Sequence, residues 1–360
     1  MSARVPLVVV VLACLAACED REVALVTQEN GNTVVAVDPA VPGSPIGTVQ
    51  LASSSFDARR AVAVYGTATR GLVPDGDATV EVVDVGPTGL SLGPPIAMSF
   101  APTRVATARR VAATPWAVVT GLGTDANDAI VGKVASINVV NGQERDVLDV
   151  AGSVMSVDVC ADGSVVVVTT SPDELHAIAL SSQGQLSSTS TTVLPGIPTA
   201  AACAPDSAGG AIGYQNGDLQ SFSLGGTPML IDTVSSRAKD EPDGSERVST
   251  VRMAEDGTAV FAHSQTIRSD GTRTSYLERV GYTASTAALA GVRDWDVEVR
   301  FADSAAGLTL FASNEAGDRL FVPAIDDGEL DVLDATTGAR IQQIDLMVDD
   351  LAAIDIAGPP

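Results

Sequence analysis

Two histidines, two internal cysteines and several aspartate pairs are the side chains of this 360-residue sequence whose types could do chemistry. His176 and His263 are the only histidines. Neither stands at the spacing of a zinc site or a nucleophile–base pair, since the sequence holds no H-E-x-x-H, G-x-S-x-G or C-x-x-C-H pattern. Both are expected to be ordinary surface or strand residues. Asp75 and Asp77, Asp125 and Asp128, and Asp326 and Asp327 bring carboxylates together. None completes an EF-hand loop, and turns favour Asp because its side chain bonds the local backbone. Gly121-Leu122-Gly123-Thr124-Asp125-Ala126 fits G-x-G-x-x-A by letter. A dinucleotide site needs a helix to follow, whereas Asn127-Asp128 and another strand-like run come next, so a hairpin loop is expected. Asp294-Trp295-Asp296 reads either as a sugar-stacking platform or as a core tryptophan. No catalytic residue, metal or cofactor is assigned on this basis.

Cys160 and Cys203 lie 43 residues apart, in Cys-Ala-Asp-Gly and Cys-Ala-Pro-Asp, and read as equivalent points of successive repeats. Joined, they would close a loop worth roughly 4 kcal/mol in the chain-entropy model. Stacked sheets sit about 10 Å apart, beyond disulfide reach unless the strands converge. A bridge and two buried thiols are both open.

The elements that must position these residues are strands. Hydrophobic residues make up 45% of the chain, enough for a core, yet aromatics are only 4%, so Val, Ile, Leu and Ala must fill it. Branched side chains pack well on pleated sheets. The 33 glycines and 19 prolines supply turns. The formal charge of −24 repels phosphate backbones and speaks against a nucleic-acid partner. It suits solubility first, and calcium or a cationic partner second.

The first residues read as an export signal. Met1–Arg4 carries one positive charge, and Val5–Ala17 is apolar but too short for a membrane span. Leu15-Ala16-Ala17-Cys18 resembles the lipobox of bacterial lipoproteins, which implies lipidation of Cys18. Cys14, after Val11-Leu12-Ala13, is the poorer match. An ordinary secretory peptide cleaved after Ala17 is the alternative. The organisation expected is a signal peptide over residues 1–17, an acylated tether over 18–22 and one domain over 23–360. Several acyl chains on Cys18 would satisfy the condition for stable anchoring, and Glu19 leaves the choice of membrane open, with the outer membrane favoured.

Ser313–Leu346 gives the repeat in its clearest form: strand, Asp327-Gly328 turn, strand, Thr337-Gly338 turn, strand. Val157–Leu180, Ala202–Leu224 and Val251–Val280 repeat it, the second with an Asn216-Gly217 hairpin signal, and Arg60–Val85 and Arg110–Val140 are weaker copies. Val165-Val166-Val167-Val168 lacks alternation, as in a strand buried on both faces, while Glu329–Val332 alternates like a half-exposed one. Ser235–Arg247, Gly71–Asp77 and Ser187–Thr192 read as polar loops. Leu320-Phe321-Val322 and Asp331-Val332-Leu333-Asp334-Ala335-Thr336-Thr337-Gly338 resemble the YVTN-type repeat family of bacterial β-propellers. That resemblance implies an all-β propeller of about seven four-stranded blades. Ala353–Ala357 matches Ser156–Cys160, the first strand of a blade, while Val23–Thr27 and Asn32–Asp38 look like later strands. One blade shared by the two termini would close the ring and leave no free sheet edge. Asp158, Arg252 and Asp355 fall at matching places in the innermost strands and are expected to line the central channel.

The function expected is non-catalytic: a membrane-anchored extracytoplasmic lipoprotein, in the periplasm or facing the cell surface, that binds or scaffolds an unidentified protein partner. Propeller enzymes, such as lactonases and quinone-dependent dehydrogenases, are one alternative, and an envelope-assembly lipoprotein is another.

Overall fold

Four consecutive valines, Val165 to Val168, are each fully buried, and they show how the whole protein is packed. Val165 and Val167 fill one hydrophobic cluster, and Val166 and Val168 fill another, on the opposite face of the same strand. A strand with period-2 side chains can do this only where its sheet lies between two others. The computed structural model describes residues 22–28, 32–38, 45–52, 62–64, 69–86, 89–107, 115–241, 244–300, 310–314, 316–324, 327–347 and 351–357. The signal sequence, Cys18 and Asp326 lie outside the described residues.

Seven antiparallel sheets form the blades, and their first strands contact one another around a central channel. Blade 1 joins Leu351–Ala357, innermost, to Val23–Gln28, Thr33–Val37 and Gly47–Gln50. Blade 2 holds Ala63–Val64, Arg70–Pro74, Thr79–Gly86 and Gly89–Leu92, with Ile96–Ala97 added beside Thr79–Gly86. Blade 3 runs Ala101–Thr107, Trp116–Thr124, Ile130–Asn138 and Gln143–Val150. Blade 4 runs Ser153–Val159, Ser164–Thr170, Glu174–Leu180 and Leu186–Val193. Blade 5 runs Pro198–Cys203, Gly209–Tyr214, Asp218–Ser223 and Met229–Ser235. Blade 6 has the longest strands, Gly244–Met253, Ala259–Arg268, Arg273–Thr283 and Ala288–Val299. Blade 7 runs Ala312–Ser313, Arg319–Ala324, Glu329–Asp334 and Arg340–Asp345.

The ring closes as the sequence suggests, with the C-terminal strand innermost in blade 1 and Val23 opposite Ala357. Each interface between consecutive blades holds its own hydrophobic cluster, built chiefly from Val, Ala, Leu and Ile.

Four sequence expectations fail, each for a tertiary reason. Glu329–Asp334 is not half-exposed: Asp331 is buried, with Arg300 and Arg340 beside it, because a third strand still has a blade on each side. True alternation appears in fourth strands such as Met229–Ser235. Ser187–Thr192 is an outer strand, not a loop, its polarity reflecting exposure. Gly71–Asp77 begins as the buried strand Arg70–Pro74, where Gly71 clears the neighbouring blade's Leu25; a Cβ there would lie 2.1 Å from Leu25 Cδ1. Ser235–Arg247 contains a 3₁₀ turn, Arg237–Asp240, with Ala238 wholly buried.

Both tryptophans sit over a turn glycine of the next blade. Trp116 covers Gly184 and donates through Nε1 to Ser182 O at 3.1 Å. Trp295 covers Gly338 and meets Phe261 with ring centroids 6.1 Å apart, so it is packing rather than a sugar platform. Both glycines have positive φ, +79° at Gly184 and +71° at Gly338, and a Cβ would come within 2.6 and 2.8 Å of the indole. Gly338→Ala is expected to cost about 1–3 kcal/mol through left-handed strain and the indole clash. Urea denaturation checks it through a lower midpoint at unchanged slope.

Candidate functional site

The side chains best placed to act together surround one mouth of the central channel. Alternate residues of a strand share a face, and Ser156, Asp158 and Cys160 all point from blade 4 toward blade 5. Ala201 N donates to Ser156 Oγ at 3.2 Å, and Cys203 N donates to Asp158 Oδ2 at 2.8 Å. Cys160 and Cys203 are bonded to each other with Cα atoms 5.3 Å apart, because the inner strands converge well inside the usual sheet spacing. The cysteines are not at equivalent points of their repeats. Cys203 pairs with Gly210 as Val159 pairs with Val165, one residue earlier in the hairpin than Cys160, whose amide bonds Ser164 O.

Asp355 makes the matching contact at the seam, its Oδ2 accepting from Val64 N of blade 2 at 2.8 Å. Its Oδ1 accepts from Arg252 Nη2 at 3.2 Å, so an arginine of blade 6 reaches past blade 7 to the closing strand. Asp355 is only 3% exposed. Asp158 also accepts from Val159 N through Oδ1 at 2.9 Å. Asp158, Arg252 and Asp355 are thus all in innermost strands, but Asp158 and Asp355 are turned onto the backbone of the next blade rather than held out into water. Charge-assisted bonds of this kind are among the stronger polar contacts available. A shallow open depression lies at this mouth, lined by Asp158, Arg252, Met253, Glu255, Pro205 and the disulfide.

The histidines are elsewhere, and both are buried in strands. His176 Nε2 faces Thr169 Oγ1 at 3.2 Å and Nδ1 faces Thr191 Oγ1 at 3.3 Å. Burial lowers its pKa, partly opposed by Glu174 at 3.4 Å. His263 is driven down to about 3 by burial and by the nearby Arg247, so it is neutral at physiological pH. The aspartate pairs are turn devices. Asp75 Oδ1 accepts from Asp77 N and Thr79 N, both at 2.9 Å. Asp125 Oδ1 accepts from Asn127 N at 2.8 Å and Ala129 N at 2.9 Å, and those backbone bonds lower its pKa. Gly121-Leu122-Gly123-Thr124 continues the strand Trp116–Thr124, and Asp125–Asp128 makes the hairpin turn.

Sequence reasoning missed Glu278, which is 1% exposed in the third strand of blade 6. Burial pushes its carboxyl up to about 7, Asp296 adds to the rise, and Ser264, the Arg237 amide and Arg293 oppose it. No local sequence feature marks it, because its burial follows from pairing with Ala262 in the second strand and from the blade 5 packing on that face.

No family model matches the sequence, and no curated protein matches it either. Solved structures do. A protein of unknown function from Desulfotomaculum acetoxidans is 13% identical, with a TM-score of 0.74 over 94% of this chain and 99% of its own. A structure from Bacteroides fragilis named as a "putative 6-phosphogluconolactonase" is 13% identical, with a TM-score of 0.64 over the same shares. The β-propeller domain of Cps50 (Swd1) from Myceliophteria thermophila is 12% identical, with a TM-score of 0.56 over 81% of this chain and 87% of its own. The likeness is one of fold: this chain is a seven-bladed β-propeller.

Proposed function

We propose that this propeller is an exported, lipid-anchored lipoprotein that holds a protein partner without catalysing a reaction. The observation that carries the reading is the use made of the channel-mouth aspartates. Both oxygens of Asp355 and Oδ2 of Asp158 accept hydrogen bonds from other blades, and Asp158 Oδ1 is held by the amide of its neighbour Val159. A carboxylate so engaged is a structural clamp, not a base poised to take a proton. The apolar run before Cys18 supports export, and a cross-link between Cys160 and Cys203 fits an oxidising compartment. Acyl chains on Cys18 would set the ring close to a bacterial membrane, since Val23, a few residues on, already belongs to blade 1.

Replacing Cys18 by Ser is expected to move the protein from the membrane to the soluble fraction, read by sedimentation of the native chain expressed in a bacterium. Membrane association that survives the substitution would overturn the anchor. Purifying the anchored form under mild crosslinking is expected to bring down one stoichiometric protein.

The named Bacteroides fragilis neighbour suggests a second reading, hydrolysis of a sugar-phosphate lactone. The charged groups lining the depression, Asp158 and Glu255 against Arg252, disfavour a phosphate there. Turnover of such a lactone by the purified chain, abolished by Arg252→Ala, would favour this reading over the first.

A further inference from the structure

The connection from blade 5 to blade 6 is a polar strap, Ser236–Glu241, laid over a buried carboxyl group. Thr266 Oγ1 donates to Ala238 O at 2.8 Å, and Arg237 N donates to Glu278 Oε2 at 2.9 Å. Glu241 accepts from Tyr276 Oη and Arg237 Nη2, both at 2.9 Å, and from Arg268 Nη2 at 3.1 Å. Arg237 also lies over the Tyr276 ring at 5.0 Å, and Lys239 ties the strap to Asp218 of blade 5 at 2.7 Å. The strap fits closely against the blade 5 hairpin, where a Cβ on Gly217 would be 3.3 Å from Ser236 Oγ and 3.5 Å from Lys239 Cβ.

The charges around Glu278 do not balance its own. The fourth strand of blade 6 offers Arg293, with Nε 4.0 Å from Glu278 Oε2, but Arg293 also pairs with Asp240 and with Asp296. Arg237 of the strap turns its guanidinium to Glu241 and Asp296. The second strand contributes the neutral Ser264 and Thr266, while its Arg268 goes to Glu241. In the first strand Glu246, opposite Thr266, is a further carboxylate on the Glu278 face, near Gly217 of blade 5, while Arg247 faces Gln265 on the other side of the sheet. From blade 5 the charged group is Asp218, already held by Lys239. One guanidinium is therefore shared by three carboxylates, and a buried charge without its own partner is costly. Glu278 Oε1 itself is buried without a hydrogen bond of ordinary geometry among the described residues.

We infer that Ser236–Glu241 is a pH-sensitive latch, shut over protonated Glu278 and loosened as that carboxyl ionises. The folded-state pKa of Glu278 is raised, chiefly by burial, from 4.5 to about 7. The stabilisation of the shut strap is therefore complete below the ordinary glutamate range and is lost as pH rises through about 7. Opening the strap would change the face of blades 5 and 6 that carries the Gly217 hairpin. The latch stands whether or not the propeller is membrane-anchored.

The test is amide exchange of Arg237, Lys239 and Glu241 in the full chain, corrected for the intrinsic pH dependence of exchange. Between pH 5 and 7 the strap's opening constant is expected to rise about tenfold per pH unit in the native protein and to stay flat in Glu278→Gln. Parallel profiles in the two proteins would overturn the latch. Should Glu278→Gln fail to fold, carbon-detected titration of the Glu278 carboxyl in the native chain decides. A midpoint near neutrality shared with the strap amide shifts supports the latch, and a midpoint in the ordinary glutamate range overturns it.

Discussion

A chain ending at Leu346 is expected to lose cooperative unfolding altogether. Leu351–Ala357 is the innermost strand of blade 1, and its side chains serve two interfaces at once. Leu351, Ile354 and Ile356 belong to the cluster shared with blade 7, and Ala353 to the one shared with blade 2. All four are at most 4% exposed. At about 1.5–3 kcal/mol for each large aliphatic side chain, the three in the blade 7 cluster alone contribute roughly 5–9 kcal/mol. Whole domains are commonly stable by only about 5–15 kcal/mol. Truncation also removes the Asp355 carboxylate from Val64 N and Arg252, leaving the arginine half-buried without that partner. Circular dichroism during a thermal or urea ramp makes the check. A transition as sharp and as high as that of the full chain would contradict the closure.

Reduction of the Cys160–Cys203 bond is expected to have the next largest effect. The cross-link spans 43 residues, which the chain-entropy model rates at roughly 4 kcal/mol. In a protein of this size that corresponds to a fall in melting temperature of roughly 5 °C. Cys160→Ala/Cys203→Ala should reproduce the loss, since both positions are buried among apolar neighbours that accept a small hydrophobe. The reductant should then have no further effect on the double variant. A native melting temperature unmoved by reductant would mean that the two residues act as separate thiols.

Signals that are local in the chain carried far in the sequence. The Thr337-Gly338 turn and its flanking strands, the unbroken valines at 165–168 and the seam between Val23 and Ala357 all follow from turn chemistry and period-2 patterning. Features set by packing between blades were not legible. Asp331 looks like the exposed half of an alternating strand and is buried because it faces blade 6, where Arg300 lies beside it. Ser187–Thr192 looks like a loop because an outer strand facing water needs no apolar residues. The one-residue offset of Cys203 against Cys160, which helps bring them within reach, depends on hairpin lengths in two different blades. Asp158 and Asp355 could be aligned from the repeats, but their engagement with Cys203 N and Val64 N depends on how tightly the inner strands converge. Ser236–Glu241 has the composition of a solvated linker, and only the third strand of blade 6 gives it something to cover.

The shared blade also imposes a delay. Val23–Gln50 leaves the ribosome long before Leu351–Ala357, the strand that pairs with Val23–Gln28 on the channel side. At about 5–20 residues per second, the roughly 300 intervening residues take about 15–60 s to synthesise. Throughout that interval the earliest strand keeps an open edge with free backbone donors and acceptors, the kind of surface that recruits other chains. Yield of this protein in a cell should therefore be governed by how Val23–Gln50 is shielded while it waits for its partner strand, and slowing synthesis should lower that yield even where the finished ring is fully stable.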